Sequence, residues 1–355
     1  MDFGELFAAV DLLQKEKGIP KAYMLDKISQ ALVTAYKQGS ESDAENIEVV
    51  IDEVGKTVRM YVSRQVVEEV ENPDTEISLA AAREIDPKYA LGDVVPQEFN
   101  ADRFVRRAAQ TARQVIIQGI REAERGMIYD EFTSKEHELM SGLVTRVDPR
   151  TGNASVRVGS GTEMTEALLA VGEQIKGEPI TEGMRIRAYV VEVRRSTRGA
   201  QVLLSRTHPG LVKRLFELEV PELYEGVVEM RSIAREAGSR TKIAVWSTDE
   251  NVDAVGACVG PKGGRVGAVV SELRGEKVDI IKYSEDPAEF IAAALSPADV
   301  VGVSLAPEGK SCQVLVPDDQ LSLAIGKEGQ NARLAAKLTG YKIDIKAETE
   351  GYTVA

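Results

Sequence analysis

The sequence predicts an α+β multidomain chain: an N-terminal α/β domain, a small β-barrel and two copies of one helix–strand module. Three observations carry this. Apolar residues recur at helical spacing through the first 37 residues and lead into a short alternating hairpin. Between Leu143 and Ser205 several short strands alternate with turn signals, the pattern of a small barrel. The last 145 residues contain an internal repeat. A length of 355 residues leaves room for two to four domains of ordinary size.

Taken in order, Leu6, Val10 and Leu13, then Leu25, Ile28, Leu32 and Ala35, mark helical stripes broken at Gly18-Ile19-Pro20. Residues 47–51 and 57–62 alternate around the turn Glu53-Val54-Gly55-Lys56, as a hairpin does. A long helix over Asp102–Arg125 places Arg103, Arg106, Gln110 and Arg113 on one side and Phe104, Ala108, Ala112 and Val115 on another. Barrel strands are expected at Leu143–Val147, Ala154–Val158, Arg185–Val193 and Gln201–Ser205, with Glu163–Lys176 a loop containing a helical turn. Each repeat copy reads helix, strand, strand, helix, GxxG, helix, strand. The first runs from Leu211–Val220 to Val278–Tyr283 and the second from Pro287–Leu295 to Lys342–Lys346. The expected domains are 1–132, 133–207, 208–285 and 286–355.

A composition of 43% hydrophobic and 28% charged residues is that of a globular chain. No stretch approaches the roughly 18 uncharged apolar residues of a membrane span. The start, Met1-Asp2-Phe3-Gly4-Glu5, is acidic where a secretory signal is basic. Cys258 and Cys312 are too few for a disulfide framework and too far apart for a CxxC site, so a reducing cytoplasm is the expected setting. The net charge is −13, but it is segregated. Residues 1–132 hold 16 Lys/Arg against 25 Asp/Glu, and the remainder 28 against 32. Arg185–Arg214 carries eight basic residues (Arg185, Arg187, Arg194, Arg195, Arg198, Arg206, Lys213, Arg214) against Glu192 alone. Phosphate contacts need such a local patch, whatever the total.

The GxxG loops, Gly260-Pro261-Lys262-Gly263 and Gly326-Lys327-Glu328-Gly329, lie 66 residues apart. Glycines allow a sharp turn and a close approach to a ligand. The helix that follows offers N–H groups at its start, a ready anion site. Lys262 and Lys327 are expected to supply charge at the same point of the two loops. This matches the KH module, whose GxxG loop clamps the backbone of about four nucleotides. A Gly-capped turn used for packing alone does not call for a lysine in both copies. The nucleic-acid set read here is Gly260, Lys262, Gly263 and Arg265 in the first copy, and Gly326, Lys327, Gly329, Gln330, Asn331 and Arg333 in the second. Lys337 lies one helical turn beyond Arg333. Cys258 reads as a small buried hydrophobe.

An OB-type barrel combines a basic groove with aromatic platforms. This one is poor in aromatics, with Tyr189 as its stacking candidate, and leans on Arg194, Arg195 and Arg198 for salt-sensitive binding. Catalytic constellations are missing. Gly55-Lys56-Thr57 and Gly309-Lys310-Ser311 copy the tail of a P-loop, but Val50 and Ser304 stand where its first glycine belongs. His137 and His208 have no partners in sequence for a metal site, and no cofactor motif is present. The expectation is a binding protein without catalysis, metal or cofactor.

Several strings are specific. They are Ala82-Arg83-Glu84-Ile85-Asp86, Ala109-Gln110-Thr111-Ala112, Leu204-Ser205-Arg206-Thr207-His208-Pro209, Leu215-Phe216-Glu217-Leu218-Glu219-Val220-Pro221-Glu222 and Leu323-Ala324-Ile325-Gly326-Lys327-Glu328-Gly329-Gln330-Asn331-Ala332-Arg333. With the domain order, they resemble the NusA family of bacterial transcription elongation, termination and antitermination factors over essentially the whole chain. The resemblance implies an OB-fold β-barrel and two tandem prokaryotic-type KH domains behind an RNA polymerase-binding domain. It also implies docking on the polymerase core at the β flap region and contact with nascent single-stranded RNA and RNA hairpins. Other elongation and antitermination factors are expected as partners on the same resemblance, and the free protein is expected to be monomeric. Pausing, intrinsic termination and, with partners, antitermination are what it modulates. The helix positions that touch RNA hairpins in the family fall on Arg106 and Arg113.

The sequence departs from the family where Val105 replaces a usual Gly and Arg107 a usual apolar residue. Residues 159–163 look longer than usual, and the acidic C-terminal repeats of some members have no counterpart, so their properties are not carried over. A polynucleotide phosphorylase-like exoribonuclease would place one KH before the barrel and after two catalytic domains, the reverse of the order here. A ribosome-associated RNA-binding protein shares the barrel and KH signals; the N-terminal resemblance separates the two.

Overall fold

The structure, a computed structural model, describes residues 3–37, 46–98, 105–161, 164–196 and 199–351. It divides into two compact units, Met1–Met127 and Ile128–Ala355.

In the first unit, α1 (Phe3–Lys17) and α2 (Lys21–Lys37) are separated as the sequence predicts. Gly18 takes φ +68°, and its N–H bonds the Gln14 carbonyl at 3.0 Å, a left-handed helix stop. Val10, Leu25, Ile28 and Leu32 are buried together with Phe7, Ile19 and Met24. The hairpin of β1 (Ile47–Asp52) and β2 (Thr57–Val67) pairs Ile47 with Val62 and Asp52 with Thr57. Asp52 Oδ1 accepts the Val54 and Gly55 N–H groups, each at 3.0 Å, and so fixes the turn. The prediction omits β3 (Glu76–Ser78), α3 (Leu79–Ile85) and β4 (Val94–Glu98). They are too short to show a period, and β3 and β4 are held by pairing to β2. Helix α4 (Val105–Thr133) runs past the predicted end at Arg125, because Phe132 is buried in the barrel core of the second unit. The side chains of Arg106 and Arg113 lie outside the described residues, as do Arg103, Phe104 and Arg198.

The second unit opens with a closed five-stranded barrel of β5 (Leu139–Val147), β6 (Ala154–Val158), β7 (Thr165–Leu169), β8 (Arg185–Ser196) and β9 (Gly199–Ser205). The order β5-β6-β7-β9-β8, with β7 and β9 parallel, is consistent with an OB-like fold. In the expected loop over Glu163–Lys176 the helical turn is present at Val171–Glu173, but strand β7 precedes it: Ala167 and Leu169 point into the core and pair with Val156 and Ala154.

Both repeat copies fold in the predicted order. The first has α5 (Pro209–Glu219), an added α6 (Pro221–Tyr224), β10 (Val228–Glu236), β11 (Arg240–Ser247), α7 (Ala254–Val259), α8 (Gly264–Glu272) and β12 (Lys277–Lys282). The second has α9 (Pro287–Ala294), β13 (Gly302–Leu305), β14 (Ser311–Val316), α10 (Leu321–Ile325), α11 (Gln330–Thr339) and β15 (Lys342–Ala347). In each sheet the first pair is antiparallel and the second parallel.

Buried contacts join these parts. Ala234, Ala244 and Ile281 of the first module share a core with Phe290, Ile291 and Leu334 of the second. Lys242 is fully buried; its Nζ donates to Asp279 Oδ2 at 3.0 Å and across the joint to the Ser296 carbonyl at 2.6 Å. Arg235 meets Glu276 with two hydrogen bonds of 2.9 Å. Burial pushes the Glu276 carboxyl up, but bonds from Arg235, Thr241 and the Gly238 N–H outweigh it and hold it low.

Candidate nucleic-acid interface

The two loops have the same backbone. Gly260 and Gly326 take φ/ψ of 72°/173° and 76°/171°, and Gly263 and Gly329 close at φ 74°. Between them one non-glycine residue is left-handed: Lys262 at φ 52° in the first loop and Glu328 at φ 55° in the second. The expectation that Lys262 and Lys327 stand at the same point is therefore corrected. Lys262 corresponds to Glu328, and Lys327 to Pro261. All three charged side chains are exposed. Helices α8 and α11 begin immediately after the loops, so their first N–H groups stand where a phosphate would approach.

Four of the predicted residues are engaged inside the protein. Arg265 donates from one terminal nitrogen to Glu222 Oε2 at 2.9 Å and to the Ala257 carbonyl at 2.6 Å. Asn331 is buried and donates to the carbonyls of Leu295 at 2.9 Å and Ala324 at 3.1 Å. Gln330 and Arg333 both reach back to Glu236 on β10, at 2.9 and 2.7 Å, and Gln330 also bonds Ser239 Oγ at 2.7 Å. The second loop thus sits against the first module. A cavity of about 360 Å³ at this junction is lined by Ser239, Arg240 and Lys277 from one side and by Leu323, Gly326 and Lys327 from the other.

Hydrogen bonds from Arg333 and Gln330 hold Glu236 below the usual carboxylate range, against a smaller opposing effect of burial. A depressed folded-state pKa adds stability above the unfolded value, and that stability is lost as pH falls through the folded pKa. Acidification below the ordinary Glu range should therefore loosen the joint between the modules. Glu236→Gln should remove that part of the acid sensitivity, as unfolding midpoints measured across pH would report.

The basic run Arg185–Arg214 is only partly a surface. Arg194 pairs with Glu192 at 2.6 Å. Arg195 is 74% exposed, lies 4.5 Å from the Tyr129 ring and reaches Asp130 at 3.9 Å, so it remains available to a ligand. Arg206 is buried and Arg214 binds Glu138, Glu217 and the His137 carbonyl, so both belong to the joint between barrel and first module. Tyr189 is corrected as well. It is buried, with its ring stacked 4.5 Å from His208 and 6.0 Å from His137, and offers no platform to a base. The ring under Arg195 is Tyr129, which the sequence did not single out because it lies beyond the predicted end of α4. Burial, with the nearby Glu222 charge adding to it, pushes the Cys258 thiol up to about 12, so it stays protonated at neutral pH. Among the described residues no group of three or more His, Cys, Asp and Glu could hold a metal ion, and no helix is long and apolar enough to cross a membrane.

Comparison with known proteins matches residues 5–126 to the NusA N-terminal domain, 206–283 to the NusA-like first KH domain and 287–352 to the NusA-like second KH domain. Three similar relatives are each named transcription termination/antitermination protein NusA. That of Halalkalibacterium halodurans is 51% identical over 98% of this chain and 89% of its own length. That of Bacillus subtilis is 51% identical over 98% and 91%. That of Thermus thermophilus is 44% identical over 96% and 89%. With the two GxxG loops in matching geometry and the relatives aligned almost end to end, the chain belongs to the NusA family of transcription termination/antitermination proteins.

Proposed function

We propose that the chain is an RNA-binding transcription factor that binds the RNA polymerase core, at its β flap region, through the N-terminal domain. Nascent single-stranded RNA runs over the barrel and both KH modules. It modulates pausing, intrinsic termination and, with other elongation and antitermination factors, antitermination. It acts in the cytoplasm as a binding protein without catalysis and is monomeric when free. The domains are 1–132, 133–207, 208–285 and 286–355.

The observation that carries this reading is the pair of loops with one backbone shape on one compact unit. In the proposal Gly260, Lys262 and Gly263, with Gly326, Lys327 and Gly329, take the phosphate backbone. Arg194 and Arg195 extend the path on the barrel, and Arg106 and Arg113 meet RNA hairpins. In reconstituted transcription, the protein should lengthen the pause at a hairpin site. An unchanged pause lifetime and unchanged termination would overturn the proposal. Co-purification with ribosomal subunits and not with polymerase would favour a ribosome-associated role.

A further inference from the structure

We infer that Arg265 and Asn331 are positioning residues, which hold the two loops in shape and do not themselves contact RNA; the inference rests on the RNA-binding reading above. The two side chains occupy the same place in the two modules. Each follows the first glycine of its loop by five residues and is the second residue of the next helix. Each fills the space that the glycine leaves open. A Cβ on Gly260 would stand 2.6 Å from Arg265 Cγ, and one on Gly326 would stand 2.9 Å from Asn331 Cβ and 2.8 Å from the Asn331 backbone nitrogen.

Each side chain also turns back to the end of the helix before the loop. Arg265 bonds the Ala257 carbonyl at 2.6 Å, three residues before Gly260. Asn331 bonds the Ala324 carbonyl at 3.1 Å and reaches the Leu323 carbonyl at 3.5 Å, two and three residues before Gly326. Such terminal carbonyls have no partner within their helix. Helices α7 and α10, of six and five residues, are too short to hold their own ends. A third anchor ties each assembly to its module: Glu222 on α6 for Arg265, and the Leu295 carbonyl after α9 for Asn331. The first module does with an ion pair what the second does with a buried amide. A loop already held in its left-handed turn loses less freedom when ligand arrives, so the effect appears as affinity without a contact.

The full chain carrying Glu222→Gln or Asn331→Ala tests this by two readouts. One is backbone amide hydrogen exchange of the loops in the free protein. The other is anisotropy of a fluorescein-labelled mixed-sequence single-stranded RNA at ~0.1 M salt. Glu222→Gln removes a negative charge and releases the Arg265 cation. A direct phosphate contact by Arg265 would then tighten binding. The inference expects the opposite: faster exchange at Lys262 and Gly263 and affinity lower by about threefold, with Asn331→Ala giving faster exchange over 326–329 and a loss of about tenfold. Glu222 lies at a partly exposed position, so its variant keeps the test open if Asn331→Ala fails to fold. Tighter RNA binding by Glu222→Gln, or unchanged loop exchange in the folded variants, overturns the inference. If the unaltered chain does not bind RNA the functional proposal fails, while the exchange readout still decides the positioning role.

Discussion

Lys262→Asp combined with Lys327→Asp should lower affinity for single-stranded RNA by about 100-fold or more while leaving the unfolding midpoint in place. Hydrogen bonds to charged groups contribute about 1.5–3 kcal/mol, and each 1.4 kcal/mol is a factor of ten. Both lysines are exposed, so neither substitution opens the core. Lys262 is left-handed at φ 52°, a conformation Asp tolerates better than most side chains, so the reversal adds no backbone strain. The losses should be unequal. Glu328 stands in the second loop where Lys262 stands in the first, so the Lys262→Asp single variant should cost more. Filter-binding titrations over a salt series check this, with a shallower salt dependence expected for the double variant. Unchanged affinity would count against the phosphate-clamp assignment.

Arg206→Ala should destabilise the second unit by about 3–5 kcal/mol, the usual consequence of removing one partner from a buried ion pair. The Arg206 and Glu178 side chains are 1% and 2% exposed and share two hydrogen bonds of 2.7 and 2.6 Å. Arg206 also donates to the Arg187 carbonyl on β8 and to the Glu272 carbonyl at the end of α8. One guanidinium thus ties the barrel to the first KH module. Without it the Glu178 carboxylate stays buried, and among the described residues Arg274, 3.7 Å away, is its remaining ion-pair partner. Urea unfolding would measure the loss. Arg206→Met with Glu178→Leu should recover most of it, because an apolar pair of similar volume removes the desolvation cost as well as the attraction. A loss below about 1 kcal/mol, the range of exposed pairs, would show that water reaches the site.

What the sequence by itself determined is local. Glycines at fixed offsets announce left-handed turns, and Gly260, Gly263, Gly326 and Gly329 all adopt them. Apolar periodicity placed α1 and α2, and the repeat set the order of both modules. Elements held by partners distant in the chain were not legible in this way. Strand β7 exists because β6 and β9 flank it, and the end of α4 extends because the barrel core takes Phe132.

Side-chain roles divide along the same line. Arg206 read as part of a basic patch and Tyr189 as a stacking group, yet tertiary packing buries both at a joint. The closing strands show why. Asp279 and Asp344 occupy equivalent positions in nearly identical strings. Asp279 binds Arg240 and Lys242, and burial raises its carboxyl less than these cations lower it. Asp344 is 66% exposed, with Lys346 at 4.0 Å. The second module packs on the sheet of the first and makes Lys242 internal, so its ammonium needs Asp279. The same letters in the second copy lie at a surface where water solvates the carboxylate. Which copy of a motif becomes structure and which stays free for a ligand was decided by what packs against it.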